Sequence, residues 1–141
     1  MSLSLSRLAV SAPLALLLLA GCGGPTQLPV TGKVVLPDKA KLVETDTVTL
    51  VFTPEEGDAS YSENANASVK DLTFKANLRP GKYKISVTVQ PYAGQGSRER
   101  PKELAQQFGG YSPASTPLRC EITSEPTQTL TVDLNKKSVE K

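Results

Sequence analysis

The 141-residue sequence contains no histidine and no tryptophan, and only two cysteines. Without histidine there is no imidazole base for a Ser-His or Cys-His pair and no histidine-bearing zinc site of the hydrolase kind. No serine and lysine stand at a recognisable catalytic spacing. An enzyme is therefore not expected, and no cofactor is called for. An excess of one charge sign is also missing: 16 Lys and Arg stand against 14 Asp and Glu, a net charge of +2. That balance leaves no footprint for nucleic acid and no polybasic membrane patch. Arg98, Arg100 and Lys102 form a local basic group, but Glu99 and Glu103 balance it. A long hydrophobic run is lacking too. The apolar stretch from Leu8 to Ala20 covers 13 residues, broken by Ser11 and Pro13, whereas a membrane-spanning helix needs roughly 20.

That short run has the shape of a signal peptide, with Arg7 as the only charge before it. It ends in Leu19-Ala20-Gly21-Cys22, which resembles the lipobox of bacterial lipoproteins. The resemblance implies cleavage between Gly21 and Cys22 and a thioether-linked diacylglyceryl group on Cys22. The sulfur is the nucleophile that accepts the lipid, a role for which a serine hydroxyl is too weakly acidic. Each buried methylene contributes about 0.8 kcal/mol and one chain anchors only marginally, so two or three acyl chains give lasting attachment. The competing reading is an ordinary signal peptide with a chance cysteine after its cleavage site. Position, spacing and the Gly23-Gly24-Pro25 tether favour the lipobox. The expected organisation is thus a signal peptide over 1–21, a lipidated cysteine and tether over 22–29, a single domain over 30–135 and a polar tail over 136–141. The expected location is the cell envelope, with the membrane as partner through the lipid on Cys22; outer membrane and periplasm-facing inner membrane both remain open.

If Cys22 carries lipid, Cys120 has no intramolecular disulfide partner. Its setting, Leu118-Arg119-Cys120-Glu121-Ile122, turns it inward as a small hydrophobe.

A period-2 pattern recurs through the mature chain. Val30, Val34 and Leu36 alternate with Thr31, Lys33 and Val35, and Val48, Leu50 and Phe52 with Thr47, Thr49 and Val51. Leu72, Phe74, Ala76 and Leu78 form one further inward set, and Tyr83, Ile85, Val87 and Val89 another. Arg79-Pro80-Gly81 between them is a turn signal, so these two strands are expected to form a hairpin. Strands at Leu118-Cys120-Ile122 and Leu130-Val132-Leu134 follow, with a turn around Ser124-Glu125-Pro126. Six strands are clear, with a seventh expected near Val69 or Leu42. The fold class is all-β, an antiparallel two-sheet sandwich of about seven strands. The pattern breaks over 91–117, a long loop in which Pro101–Phe108 reads as a short helix: Pro101 suits the first turn, Leu104 and Phe108 share a face, and Gly109 is a stop.

Pro29-Val30-Thr31-Gly32-Lys33-Val34, the strand at 47–52 and Leu78-Arg79-Pro80-Gly81-Lys82-Tyr83-Lys84-Ile85-Ser86-Val87 resemble small bacterial lipoproteins with a carboxypeptidase-regulatory-like, transthyretin-like β-sandwich. Tyr111-Ser112-Pro113-Ala114-Ser115-Thr116-Pro117-Leu118 looks like the approach to that family's closing strands. The likeness covers most of 29–135 and departs from the family at Lys39–Glu44 and over 54–68. Its motifs specify a turn and a core. Carboxypeptidases and the transthyretin-related hydroxyisourate hydrolases both depend on histidines, so neither activity carries over.

Two ligand classes stay in view. Glu55, Glu56, Asp58 and Glu63 are the densest acidic group and weak candidates for calcium, without the spacing of an EF-hand loop. Tyr61, Tyr92 and Tyr111 lie outside the alternating strands and are candidates to present rings to a glycan. The reading is a lipid-anchored, non-enzymatic structural or interaction module of the envelope, with an envelope protein or a glycan as the unassigned partner, and a glycan- or calcium-binding module as the alternative.

Overall fold

The computed structural model describes residues 24–57, 60–91 and 100–141. Alternation is resolved into eight strands: β1 (Leu28–Val35), β2 (Thr47–Pro54), β3 (Glu63–Ala67), β4 (Thr73–Leu78), β5 (Gly81–Gln90), β6 (Arg119–Ile122), β7 (Gln128–Asp133) and β8 (Ser138–Glu140). Among the described residues one α-helix, α1 (Arg100–Phe108), runs into a 3-10 turn at Gly109–Tyr111. The strands form two four-stranded sheets, ordered β4-β1-β7-β8 and β3-β2-β5-β6. Each sheet turns one face inward because its apolar residues recur every second position.

The longest pairing joins β2 to β5 from Thr47↔Gln90 to Pro54↔Tyr83. It buries Val48, Leu50 and Phe52 beside Ile85 and Val87, while the alternate threonines of β2 face out. The opposite sheet contributes Val30, Val34, Phe74, Leu78, Leu130 and Val132. Phe74 meets Phe52 across the sandwich at 5.9 Å between ring centroids, and Phe52 meets Tyr83 edge-on at 6.4 Å. The first contact ties the two inner faces together, and the second joins neighbouring strands of one sheet.

Gly32 makes the Phe74 position available. A Cβ at Gly32 would lie 2.3 Å from Phe74 Cζ and 2.7 Å from the Leu130 carbonyl oxygen. The ring therefore occupies the space that any other residue on β1 would fill, an aromatic ring covering a strand glycine.

The all-β two-sheet sandwich and the helix beginning around Pro101 are as the sequence suggested, and four details differ. First, β4 and β5 belong to different sheets, so Arg79-Pro80 arches between the layers instead of closing a hairpin. Both strands carry inward apolar residues, and that pattern suits facing sheets as well as paired strands. Second, β1 and β7 pair in parallel, Val30 opposite Gln128 through Val35 opposite Asp133. The chain leaves β6 at the pole where β1 starts and crosses to the other sheet over 123–127, so β7 must run in the direction of β1.

Third, the extra edge strand of the β2 sheet lies at Glu63–Ala67, just before Val69, and none forms at Leu42. Its inward residues are only Ala65 and Ala67, too small to register as a hydrophobic set. Fourth, the expected polar tail contains β8, which returns on β7 through the Leu134–Lys137 turn. Asp133 Oδ1 accepts from the Asn135 and Lys136 amides to hold that turn, and Lys137 takes φ 56°. One inward residue, Val139, suffices on a three-residue edge strand.

β6 pairs only with Gly81–Lys84, so the outer half of β5 would present an open edge. The 100–118 segment covers it. Leu104, Phe108 and Tyr111 are buried in the core, Thr116 Oγ1 donates to the Ile85 carbonyl, and the Tyr111 hydroxyl donates to the Leu134 carbonyl, at the start of the turn after β7. No helix among the described residues is long and apolar enough to cross a membrane.

Candidate functional site

β1, β5 and β7 all start, and β2, β4 and β6 all end, at the same pole. That pole is also where the chain enters the domain, from Gly24 to Gln27. A cavity of about 320 Å³ opens there, lined by Pro54, Glu56, Tyr61, Arg79, Lys82 and Tyr83 among others.

The cavity is built by two turns. Arg79-Pro80-Gly81 carries the chain between sheets, with Gly81 at φ 150°, and the Tyr83 hydroxyl donates 2.9 Å to the Arg79 carbonyl to brace it. The 54–57 segment is tied down by the Glu55 amide, which donates 2.9 Å to the Lys82 carbonyl, and it turns at Gly57 with φ 91°. Glycine suits that left-handed conformation because it has no Cβ to clash.

Within the cavity the Arg79 guanidinium carbon sits 4.2 Å from the centroid of the Tyr61 ring. Tyr61 is itself held, its hydroxyl donating 3.3 Å to the Asn77 carbonyl. The Gln27 side-chain amide reaches the same hydroxyl at 3.5 Å. Arg79 Nε is buried without a hydrogen-bond partner. Among the described residues, Arg79, Lys82 and Glu56 take part in no ion pair. Burial pushes the Tyr83 phenol above its ordinary value, and the neighbouring Tyr61 adds to that. The arrangement therefore offers a fixed cation on an aromatic face, a second cation and a carboxylate, none of them in an ion pair among the described residues.

Gly21, Cys22, Asp58 and Tyr92 lie outside the described residues. The acidic group proposed for calcium is dispersed where it is described. Glu55 forms an ion pair with Arg119 across β5, Glu56 is exposed on the cavity rim, and Glu63 opens β3. No three described Asp, Glu or Cys side chains cluster as a metal site. The tyrosines do not share a platform either: Tyr111 is buried against the core, whereas Tyr61 lies in the cavity beneath Arg79.

Cys120 faces the core beside Tyr83 in the β5–β6 pairing. Burial pushes its thiol up to about 12; the nearby Lys141 opposes this and Glu55 adds to it. It is protonated at neutral pH and a poor nucleophile.

The sequence singled out Tyr61 as a glycan candidate and Glu56 as a calcium candidate, but neither Arg79 nor Lys82, nor the grouping of the four. Arg79 and Lys82 fall inside a motif that reads as a turn, and no spacing links position 61 to position 79. No family model, curated protein or solved structure matches this chain.

Proposed function

We propose that this chain is a lipid-anchored lipoprotein of the bacterial cell envelope, whose β-sandwich is a non-enzymatic interaction module held close to the bilayer. The carrying observation is Leu19-Ala20-Gly21-Cys22 followed, after only five residues, by the start of β1 at Leu28. Six residue steps separate Cys22 from Leu28, a reach of at most about 20 Å at full extension. A diacylglyceryl group on Cys22 would hold the entry pole of the sandwich against the headgroups. The likeness to transthyretin-like lipoproteins supports the same assignment.

A protonated, core-facing Cys120 and the lack of any histidine support a role in contact and not in catalysis. The test is the intact mass of protein extracted from membranes of the producing bacterium, together with fractionation of Cys22→Ser. The expected species begins at Cys22 and carries added diacylglyceryl mass, and Cys22→Ser leaves the membrane fraction. A mature species without acyl mass, or a Cys22→Ser protein that stays membrane-bound, overturns the proposal.

A further inference from the structure

We propose that the cavity between the 54–57 segment and the β4–β5 arch seats the phosphoethanolamine headgroup of a bilayer phospholipid, with its phosphate on Arg79 and Lys82 and its ammonium on Glu56. The inference rests on the reading that Cys22 anchors the chain, and it specifies what the anchored pole meets.

Four observations carry it. Arg79 is a cation held in place before any ligand arrives, stacked on Tyr61 and with its Nε buried and unpaired. A phosphate is the group that a guanidinium fork fits best. Lys82 and Glu56 line the same cavity from different segments and have no ion-pair partner among the described residues. A lining with both signs suits a zwitterion better than a simple anion. The volume, about 320 Å³, is at the small end of ligand sites, the range for a headgroup and not for a large substrate.

Position supplies the fourth. Gln27, where the chain enters the domain, touches Tyr61 of the cavity wall. Cys22 is five residue steps away, at most about 18 Å. A chain anchored there cannot turn this pole far from the headgroups. Charge favours the zwitterion over an anionic lipid, because Glu56, Glu121 and Glu125 stand at this pole beside Arg79 and Lys82, Glu55 is balanced by Arg119, and the pole has no polybasic character.

The test uses the full mature protein, purified from membranes and reconstituted into vesicles of phosphatidylcholine alone, of phosphatidylcholine with phosphatidylethanolamine, and of phosphatidylcholine with phosphatidylglycerol. Amide hydrogen exchange is read by mass spectrometry at 55–57 and 79–84, with the 68–72 turn at the opposite pole as reference. Phosphatidylethanolamine is expected to slow exchange at the cavity by about threefold or more, the factor 1 + [L]/Kd for a largely filled site, and to leave 68–72 unchanged. Arg79→Gln should abolish that protection, and so should Lys82→Gln, an exposed position at which folding is not at stake.

Equal exchange in all three vesicles overturns the assignment. So does protection that appears only with phosphatidylglycerol, or protection by soluble phosphoethanolamine with none from the lipid. The intact mass of the same preparation reads the anchor. An unacylated Cys22 overturns both proposals, whereas an acylated Cys22 without protection overturns this one alone.

Discussion

Replacing Gly32 by alanine adds one methyl group at the centre of the β4-β1-β7 face, and its surroundings set the cost. The new Cβ would lie 2.3 and 2.5 Å from two ring carbons of Phe74 and 2.7 Å from the Leu130 carbonyl oxygen. Real Cβ contacts are not that short, so something must move. The carbonyl belongs to the strand paired with β1, and the ring packs on Phe52 at 5.9 Å, so neither yields freely. Overpacking a tight core costs about 1–3 kcal/mol, and two obstructing groups put this case near the top, about 3 kcal/mol. For a domain of this size that lowers Tm by roughly 10–15 °C. Thermal and urea melts of the purified mature chain, followed by far-UV circular dichroism, read the change directly.

A second substitution separates ring displacement from any general effect of alanine on the strand. Phe74→Leu removes the obstructing ring carbons and by itself costs about 1–2 kcal/mol through the space it leaves. With Gly32→Ala in the same chain, the alanine methyl enters that space, and the pair should cost less than the sum of the singles by about 1–2 kcal/mol. Gly32→Ala within about 0.5 kcal/mol of the parent, or strictly additive losses in the double variant, would refute the reasoning.

Two further outcomes follow from the same packing. Tyr111→Phe removes the hydroxyl that donates to the Leu134 carbonyl in the turn after β7, and leaving that buried acceptor unpaired should cost about 1–2 kcal/mol in the same melts; an unchanged stability would show that the covering segment is not pinned there. Cys120, with its thiol pushed from 9.0 to about 12 by burial, should alkylate with a rate that keeps rising through pH 10, and a plateau near pH 9 contradicts its placement. The linkage sign is fixed by the same shift. The folded state holds this proton more tightly than the unfolded chain, so the contribution is intact below pH 9 and is lost as pH rises from there toward 12. A loss of stability over that window in the parent, diminished in Cys120→Ala, is the expected observation.

Much of the fold was legible because large apolar residues recur at period two over β1, β2, β4, β5 and β7. The helix was legible from Pro101, Leu104 and Phe108. β3 and β8 were not, since Ala65, Ala67 and Val139 bury too little surface to mark a strand. The sheet assignment of β4 and β5 was not legible either. Alternation says which side of a strand is inward, and a three-residue turn with proline and glycine serves a hairpin or an arch equally well. The cavity escaped for a related reason. Arg79, Lys82, Glu56 and Tyr61 are ordinary turn and loop residues until the arch and the 54–57 segment bring them together.

The sequence by itself determined the signal-like segment, the Cys22 motif, the absence of imidazole chemistry and the two-faced strands, because each depends on residue identity or on spacing along one short stretch. Only the tertiary structure decided that β1 and β7 run parallel, that Gly32 exists for Phe74, and that Arg79, Lys82 and Glu56 share the pole at which the chain enters. Those relations join segments that are distant along the chain: β1 with β7, Gly32 with Phe74, and Glu56 with Arg79. They arise from closing one sheet over another, a step that local pattern does not encode.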